Sequence, residues 1–166
     1  MSSRRHQPFH CKGWTGQSSR SSRKGVAVGG AAILEPMILE ETTTLYRPVG
    51  QKEFDLIASS GFCAFPPRLE WQPIFYPVLN EEYASFIARE WNTNDEFSGF
   101  IGYVLRFKVR SSYLADFQVQ KVGGASALEY WIPAEDLERF NENIVGEIER
   151  IATFVPEKNQ GEGHSD

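Results

Sequence analysis

The sequence predicts a single α+β domain built on a mainly antiparallel or split sheet with about three short helices. Its clearest strand is residues 100–109, where apolar side chains alternate with small and basic ones at the two-residue period of a half-buried strand. Its clearest helix follows Asn80, a favoured N-cap residue that precedes two glutamates and then apolar residues at helical spacing. These patterns interleave without a regular βαβ rhythm, which favours antiparallel strands, and 166 residues suit one domain with a sizeable core.

The other elements are bounded by proline, glycine and capping residues. Pro48 and Gly50 end the first strand, and Gly61 suits the C-terminus of the first helix. Prolines prevent regular structure in the loop that follows, and Pro133 can begin the last helix. In chain order the predicted elements are a strand at 44–49, a helix at 51–60, a loop at 62–73, a strand at 74–79, the helix after Asn80, strands at 100–109, 117–122 and 128–132, a helix at 134–141 and a strand at 144–154.

The charge of the chain is unevenly distributed. Residues 1–36 contain six basic residues and one acidic residue, so they carry +5, and the rest of the chain carries −10 of the total of −5. An acidic domain repels polyphosphates, which argues against a protein that wraps nucleic acid. A small anionic ligand held by one or two arginines remains compatible with this charge.

The two ends of the chain are predicted to lie outside the domain, which is expected to span residues 44–155. Residues 1–36 are rich in serine, arginine and glycine, and are predicted to be a disordered extension or the result of a start assigned too early. An organellar transit peptide and a twin-arginine export signal are the alternatives. Residues 156–166 form a polar tail, and no apolar run is long enough for a membrane span. We therefore predict a cytoplasmic location without membrane association.

The sequence contains none of the common catalytic signatures. It has no GxGxxG, Walker, GxSxG or HExxH motif, and its three histidines all lie near the termini. This excludes a histidine-dependent catalytic triad in the predicted domain, and no set of residues has the spacing of a metal site.

Four polar residues on predicted strands and a helix are the candidate site: Arg47, Tyr76, Tyr83 and Glu129. An arginine can hold a phosphate or carboxylate through two parallel hydrogen bonds. Tyrosines offer a flat stacking surface with a polar tip. A carboxylate can stabilise positive charge that develops on an anomeric carbon. Together these groups suit the binding and cleavage of a nucleoside diphosphate sugar.

Three segments carry a resemblance to a known family. They are Leu45-Tyr46-Arg47, the stretch from Phe75 to Ala84 (FYPVLNEEYA) and Glu129-Tyr130-Trp131-Ile132-Pro133. Their order resembles the ADP-ribosyltransferase superfamily, and residues 44–154 resemble a group of small, largely uncharacterised bacterial proteins, some labelled "ADP-ribosylation/crystallin". The resemblance implies an ADP-ribosyltransferase-like fold with NAD as a co-substrate and no permanently bound cofactor.

The same resemblance implies a role for each candidate residue. Arg47 would contact NAD, Tyr76 and Tyr83 would form an aromatic platform, and Glu129 would bind the nicotinamide ribose and assist the loss of nicotinamide. The sequence departs from the superfamily at Ala127, where arginine-modifying members carry a second acid.

A non-enzymatic module is the alternative function: a ligand sensor or a protein-interaction domain with a degenerate site and an unknown protein partner. In that case Arg47 would be a surface residue paired with an acid, and Glu129 would face solvent. Tyr76 and Tyr83 would then be core aromatics. Trp91 and Trp131 are predicted to be core residues in either case, and Trp91 shares its helical face with Tyr83, Phe86 and Ile87. The two functions differ in whether Arg47, Tyr76 and Glu129 open into one hollow.

Overall fold

A computed structural model describes residues 39–157 of the chain. The predicted extension at residues 1–36 and most of the predicted tail lie outside these residues. The elements, in chain order, are β1 (Thr42–Val49), α1 (Gln51–Ser59), β2 (Ile74–Phe75), α2 (Glu81–Glu90), β3 (Gly102–Arg110), α3 (Ser111–Leu114), β4 (Val119–Lys121), β5 (Leu128–Tyr130), β6 (Ile132–Pro133), α4 (Leu137–Glu142) and β7 (Ile144–Phe154).

The described residues form an α+β structure with antiparallel sheets, as predicted. They contain four α-helices instead of about three, because the single turn of α3 follows β3 directly without a pattern long enough to be recognised. The predicted strand at 74–79 is also interrupted. Only Ile74 and Phe75 form a strand, and Val78 pairs as an isolated residue. None of the helices in residues 39–157 is long and apolar enough to cross a membrane.

The largest sheet has the strand order β1-β3-β7, and every pairing in it is antiparallel. β2 pairs with β6 and β4 pairs with β5, also antiparallel. Val78 joins two of these units, since it pairs with Tyr46 of β1 on one side and with Glu129 of β5 on the other. The sheet is thereby extended beyond β1 to β5 and β4.

The main core lies on one face of the largest sheet. Leu45, Leu105 and Phe107 point into it from β1 and β3, and each is almost completely buried. They meet Phe75 and Phe140, whose ring centroids are 5.1 Å apart in an edge-to-face arrangement. This aromatic core fixes β2 and α4 against the sheet, and β2 directly precedes Tyr76 of the candidate site.

Helix α2 packs on the opposite face through small side chains. Its buried residues are Ala84 and Ala88, and they contact Val78 and Val104 of the sheet. The larger apolar residues predicted to form its buried face do not do so. Phe86 is exposed and Tyr83 and Ile87 are only partly buried. Alanines let the helix backbone approach the sheet closely, and the longer side chains are left at the edges of the contact.

Replacement of Gly102 by alanine is expected to destabilise the protein by about 1–3 kcal/mol through overpacking. A Cβ atom at this position would lie 2.3 Å from the carbonyl oxygen of Ala88, so α2 would have to move away from β3. Urea denaturation of the variant measures the loss. Gly124→Ala is the matched control, since a Cβ there meets nothing within 4 Å. Equal stability of the two variants would contradict this close approach.

Candidate functional site

Val78 aligns β1, which carries Arg47, with β5, which carries Glu129. Its N–H donates to the Tyr46 carbonyl oxygen and its own carbonyl oxygen accepts from the Tyr46 N–H, both at 2.8 Å. On the other side, the Leu79 N–H donates to Leu128 and the Tyr130 N–H donates to Pro77, at 3.0 and 2.9 Å. Directly paired residues of antiparallel strands point to the same face. The side chain of Glu129 therefore lies on the face that α2 covers.

A cavity of about 420 Å³ opens between β1, residues 76–78, α2 and β5. Its lining includes all four residues that the sequence predicts for the site, Arg47, Tyr76, Tyr83 and Glu129. Trp91, just beyond the end of α2, also lines it. The chain thus brings the predicted residues to one hollow, although they are separated by up to 82 positions in the sequence.

Glu129 is held inside the protein instead of facing solvent. Glu129 is only 9% exposed, and the indole Nε1–H of Trp131 donates a hydrogen bond to its Oε1 at 2.7 Å. Within residues 39–157, the second carboxylate oxygen accepts no hydrogen bond. The expectation of a solvent-facing Glu129 is therefore wrong, because its side chain lies on the same face as Val78 and contacts Trp131. One carboxylate oxygen is fixed and the other is available to a ligand.

Aromatic side chains surround this carboxylate. Tyr76 is partly exposed and packs edge-to-face on Trp131, with the ring centroids 6.2 Å apart. Burial, and then the negative charge of Glu129, raise the pKa of Tyr83 above its ordinary value, so its hydroxyl stays protonated at neutral pH. The prediction that Trp91 and Trp131 are core residues is wrong, since they are 61% and 45% exposed. Trp91 lines the cavity, and Trp131 lies beside it through its hydrogen bond to Glu129.

Arg47 is buried and already paired. Its Nε and Nη2 donate to the two carboxylate oxygens of Glu53 at 2.7 and 3.0 Å, and its guanidinium lies 4.5 Å from the ring centroid of Phe75. Its Nη1 donates to the carbonyl oxygen of Tyr76 at 3.4 Å. The expectation of a surface position is wrong, whereas pairing with an acid is confirmed. Arg47 therefore ties β1 to α1 and to the residue that begins the cavity wall.

Arg47 and Glu129 reach the cavity from different sides of the sheet. Arg47 lies on the same face of β1 as Leu45 and Val49, which point into the main core, whereas Glu129 lies on the face against which α2 packs. Both side chains nevertheless line the same cavity. No hydrogen bond or ion pair joins the two side chains in the described residues.

Sequence patterns missed two residues of this site. Glu53 lies in the first turn of α1, six positions after Arg47, and an acid there is readily explained by the helix dipole alone. Trp131 lies two positions after Glu129, and its polar indole tip was the signal that it needed a hydrogen-bond partner.

No group of three or more His, Cys, Asp or Glu residues in the described part of the chain could hold a metal ion.

Comparison with known proteins returned no relatives. No protein-family model matches the chain, and neither a curated protein nor a solved structure does. The resemblance to ADP-ribosyltransferases therefore rests on the sequence segments quoted above.

Proposed function

We propose that the cavity around Glu129 binds a small nucleotide-type ligand, with NAD as the first candidate, and that it promotes ADP-ribosyl transfer or hydrolysis. The observation that carries the proposal is a nearly buried carboxylate, with one oxygen held and one available, in a hollow lined by aromatic side chains. A cavity of about 420 Å³ is within the range of ordinary ligand sites. We also propose that the domain has an ADP-ribosyltransferase-like fold.

The lining of the cavity suits the nicotinamide end of NAD. The nicotinamide ring of NAD is flat and positively charged, and aromatic faces attract such a cation. Tyr76, Tyr83 and Trp91 offer these surfaces, while the charge of Glu129 complements the ring. The neutral hydroxyl of Tyr83 is a donor or acceptor for a ribose hydroxyl.

The reaction would break the bond between C1′ of the ribose and the ring nitrogen of nicotinamide. The electron pair of that bond moves to the ring nitrogen, which becomes neutral, and positive charge develops on C1′. Glu129 stabilises this charge electrostatically, and Trp131 keeps the carboxylate in position. Water or a hydroxyl, amine or guanidinium group of a target then forms the new bond to C1′ and loses a proton to solvent, while nicotinamide leaves as a neutral molecule.

A ligand-sensing module without turnover is the second candidate. It is favoured by the pairing of Arg47 with Glu53, since the guanidinium fork that would anchor NAD is already occupied. Ala127 adds to this, because the acid associated with arginine modification is absent. A protein-interaction module with an unknown partner is the remaining alternative and would not need the cavity.

Binding and turnover can be measured separately on the purified full chain. We expect NAD to quench the fluorescence of Trp91 and Trp131, which lie at the site, and to raise the melting temperature. At about 100 times its Kd, a ligand that binds only the native state adds about 2.7 kcal/mol of stability. Chromatography then measures nicotinamide release.

The combination of results decides between the candidates. Binding with release of nicotinamide supports the enzyme, and binding without release supports the sensor. A protein that responds to none of NAD, ADP-ribose and nicotinamide contradicts both, and leaves the protein-interaction module.

A further inference from the structure

A second cavity, of about 240 Å³, adjoins the first. Arg47, Pro48 and Asn92 line both, so they form a shared wall. Behind that wall the second cavity is bounded by the first turn of α1, by Arg68 in the loop before β2, and by residues 95–98. The two cavities therefore lie side by side, with these three residues between them.

Arg68 is a cation of the second cavity that contacts no acid directly within the described residues. Its Nε donates to the carbonyl oxygen of Ile74 at 3.2 Å, and its guanidinium lies 5.9 Å from the ring centroid of Phe75. Arg47 lies over the same ring at 4.5 Å, and is neutralised by Glu53. Within residues 39–157, the two terminal nitrogens of Arg68 make no hydrogen bond and no ion pair.

This arrangement places unbalanced positive charge in a partly buried position. Burial, and then the charge of Arg47, lower the pKa of Arg68 below its ordinary value. The nearby acids do not compensate it with a direct contact, since Glu53 bonds to Arg47. Asp95 accepts hydrogen bonds from the N–H and the hydroxyl of Ser98, at 2.9 and 2.6 Å. An anion between the guanidinium and solvent would relieve this imbalance.

Asn92 provides an independent sign of a ligand at the shared wall. Its Nδ2 donates to the hydroxyl of Ser98 at 3.0 Å, which fixes the side-chain amide. Its Oδ1 is buried and has no hydrogen-bond partner in the described residues. A buried acceptor without a partner costs free energy, so a donor such as a ribose hydroxyl would complete it once the Asn92 side chain turns its Oδ1 toward the cavity.

We propose that the second cavity binds the diphosphate of the ligand, with Arg68 as its main cation and Asn92 as acceptor for the hydroxyl of the adjoining ribose. This assignment rests on the proposed function, because it places the nicotinamide riboside part in the first cavity. Lys52, on the first turn of α1, also lines the second cavity and adds a second positive charge. The substrate class is then a dinucleotide in which the diphosphate contributes directly to affinity.

Arg68→Gln tests the assignment with three probes: NAD, nicotinamide riboside and inorganic pyrophosphate. We expect the variant to weaken NAD binding by about tenfold to a hundredfold, since it loses a charge-assisted hydrogen bond. Nicotinamide riboside lacks the diphosphate, so its Kd is expected to stay within about twofold of the wild-type value. Arg139→Gln, at an exposed position on α4, makes the same change in net charge and is the control.

The outcomes separate this assignment from the proposed function. If Arg68→Gln leaves the Kd for NAD unchanged while the wild type binds NAD, the diphosphate site is wrong and the proposed function stands. If neither NAD nor nicotinamide riboside binds, but pyrophosphate binds in an Arg68-dependent manner, the anion site stands and the proposed function falls. If no probe binds, both are wrong. Arg68→Lys, which retains the charge without the fork, covers the case in which Arg68→Gln does not fold, and is expected to lose part of the affinity.

Discussion

Glu129→Gln is expected to slow the release of nicotinamide from NAD by about 10²–10³-fold, the effect of removing one electrostatic stabiliser from a transition state. The amide keeps the shape of the carboxylate, and its oxygen can still accept the hydrogen bond from Trp131. The amide lacks the negative charge that stabilises the positive charge on C1′. Single-turnover rates at saturating NAD measure the effect on the chemical step directly.

Glu138→Gln is the control for this substitution, since Glu138 is exposed on α4 and makes no described hydrogen bond or ion pair. It is expected to leave the rate unchanged. A Glu129→Gln protein that is folded and releases nicotinamide at the wild-type rate would remove the catalytic role of this residue. Loss of rate in both variants would point to an effect of net charge instead.

Arg47→Ala is expected to reduce the free energy of unfolding by about 3–5 kcal/mol, which is the cost of removing one partner from a buried ion pair. The Arg47 and Glu53 side chains are 8% and 24% exposed. Without the guanidinium, Glu53 keeps a poorly solvated charge, and Phe75 loses its cation contact. Urea denaturation, analysed by linear extrapolation, gives the difference.

The pair between Arg106 and Glu149 is a matched control for burial. It has the same residue types and an N–O distance of 2.7 Å, as in the Arg47–Glu53 pair, but its side chains are 46% and 58% exposed. Exposed pairs contribute little to stability, because water screens the two charges. Double-mutant cycles measure the coupling energy of each pair, so that the two energies can be compared directly. Similar couplings would mean that burial of Arg47 does not strengthen its pairing with Glu53.

The elements of this fold that the sequence predicts well depend on local physical rules. Asn80 accepts the hydrogen bond of the Tyr83 N–H, as an N-cap residue does, and Gly61 adopts the left-handed conformation after α1. The alternation predicted for β3 holds from Leu105 onward. Before that point β3 is buried on both faces, because α2 covers the second one, and that contact cannot be read from the strand itself.

The sequence grouped the four candidate residues but did not predict their contacts. Arg47, Tyr76, Tyr83 and Glu129 all line one cavity. The partner of Arg47 was not predictable, since 22 acidic residues compete for it in the sequence. The sequence did not identify Arg68 as a site residue either, because the role of an arginine in a loop depends on which residues face it in the folded protein.

The sequence by itself determined the kinds of element, most of their boundaries and the residue types able to bind a nucleotide-type ligand. These follow from interactions between neighbours along the chain, such as capping, alternation and the restrictions of proline and glycine. Only the tertiary structure decided which face of the sheet Glu129 occupies and that Glu53 binds the guanidinium of Arg47. It also decided that, within residues 39–157, no acid pairs with Arg68 beside the second cavity. Burial and charge pairing depend on distances between segments far apart in the chain, and those distances exist only once the sheet and α2 have packed.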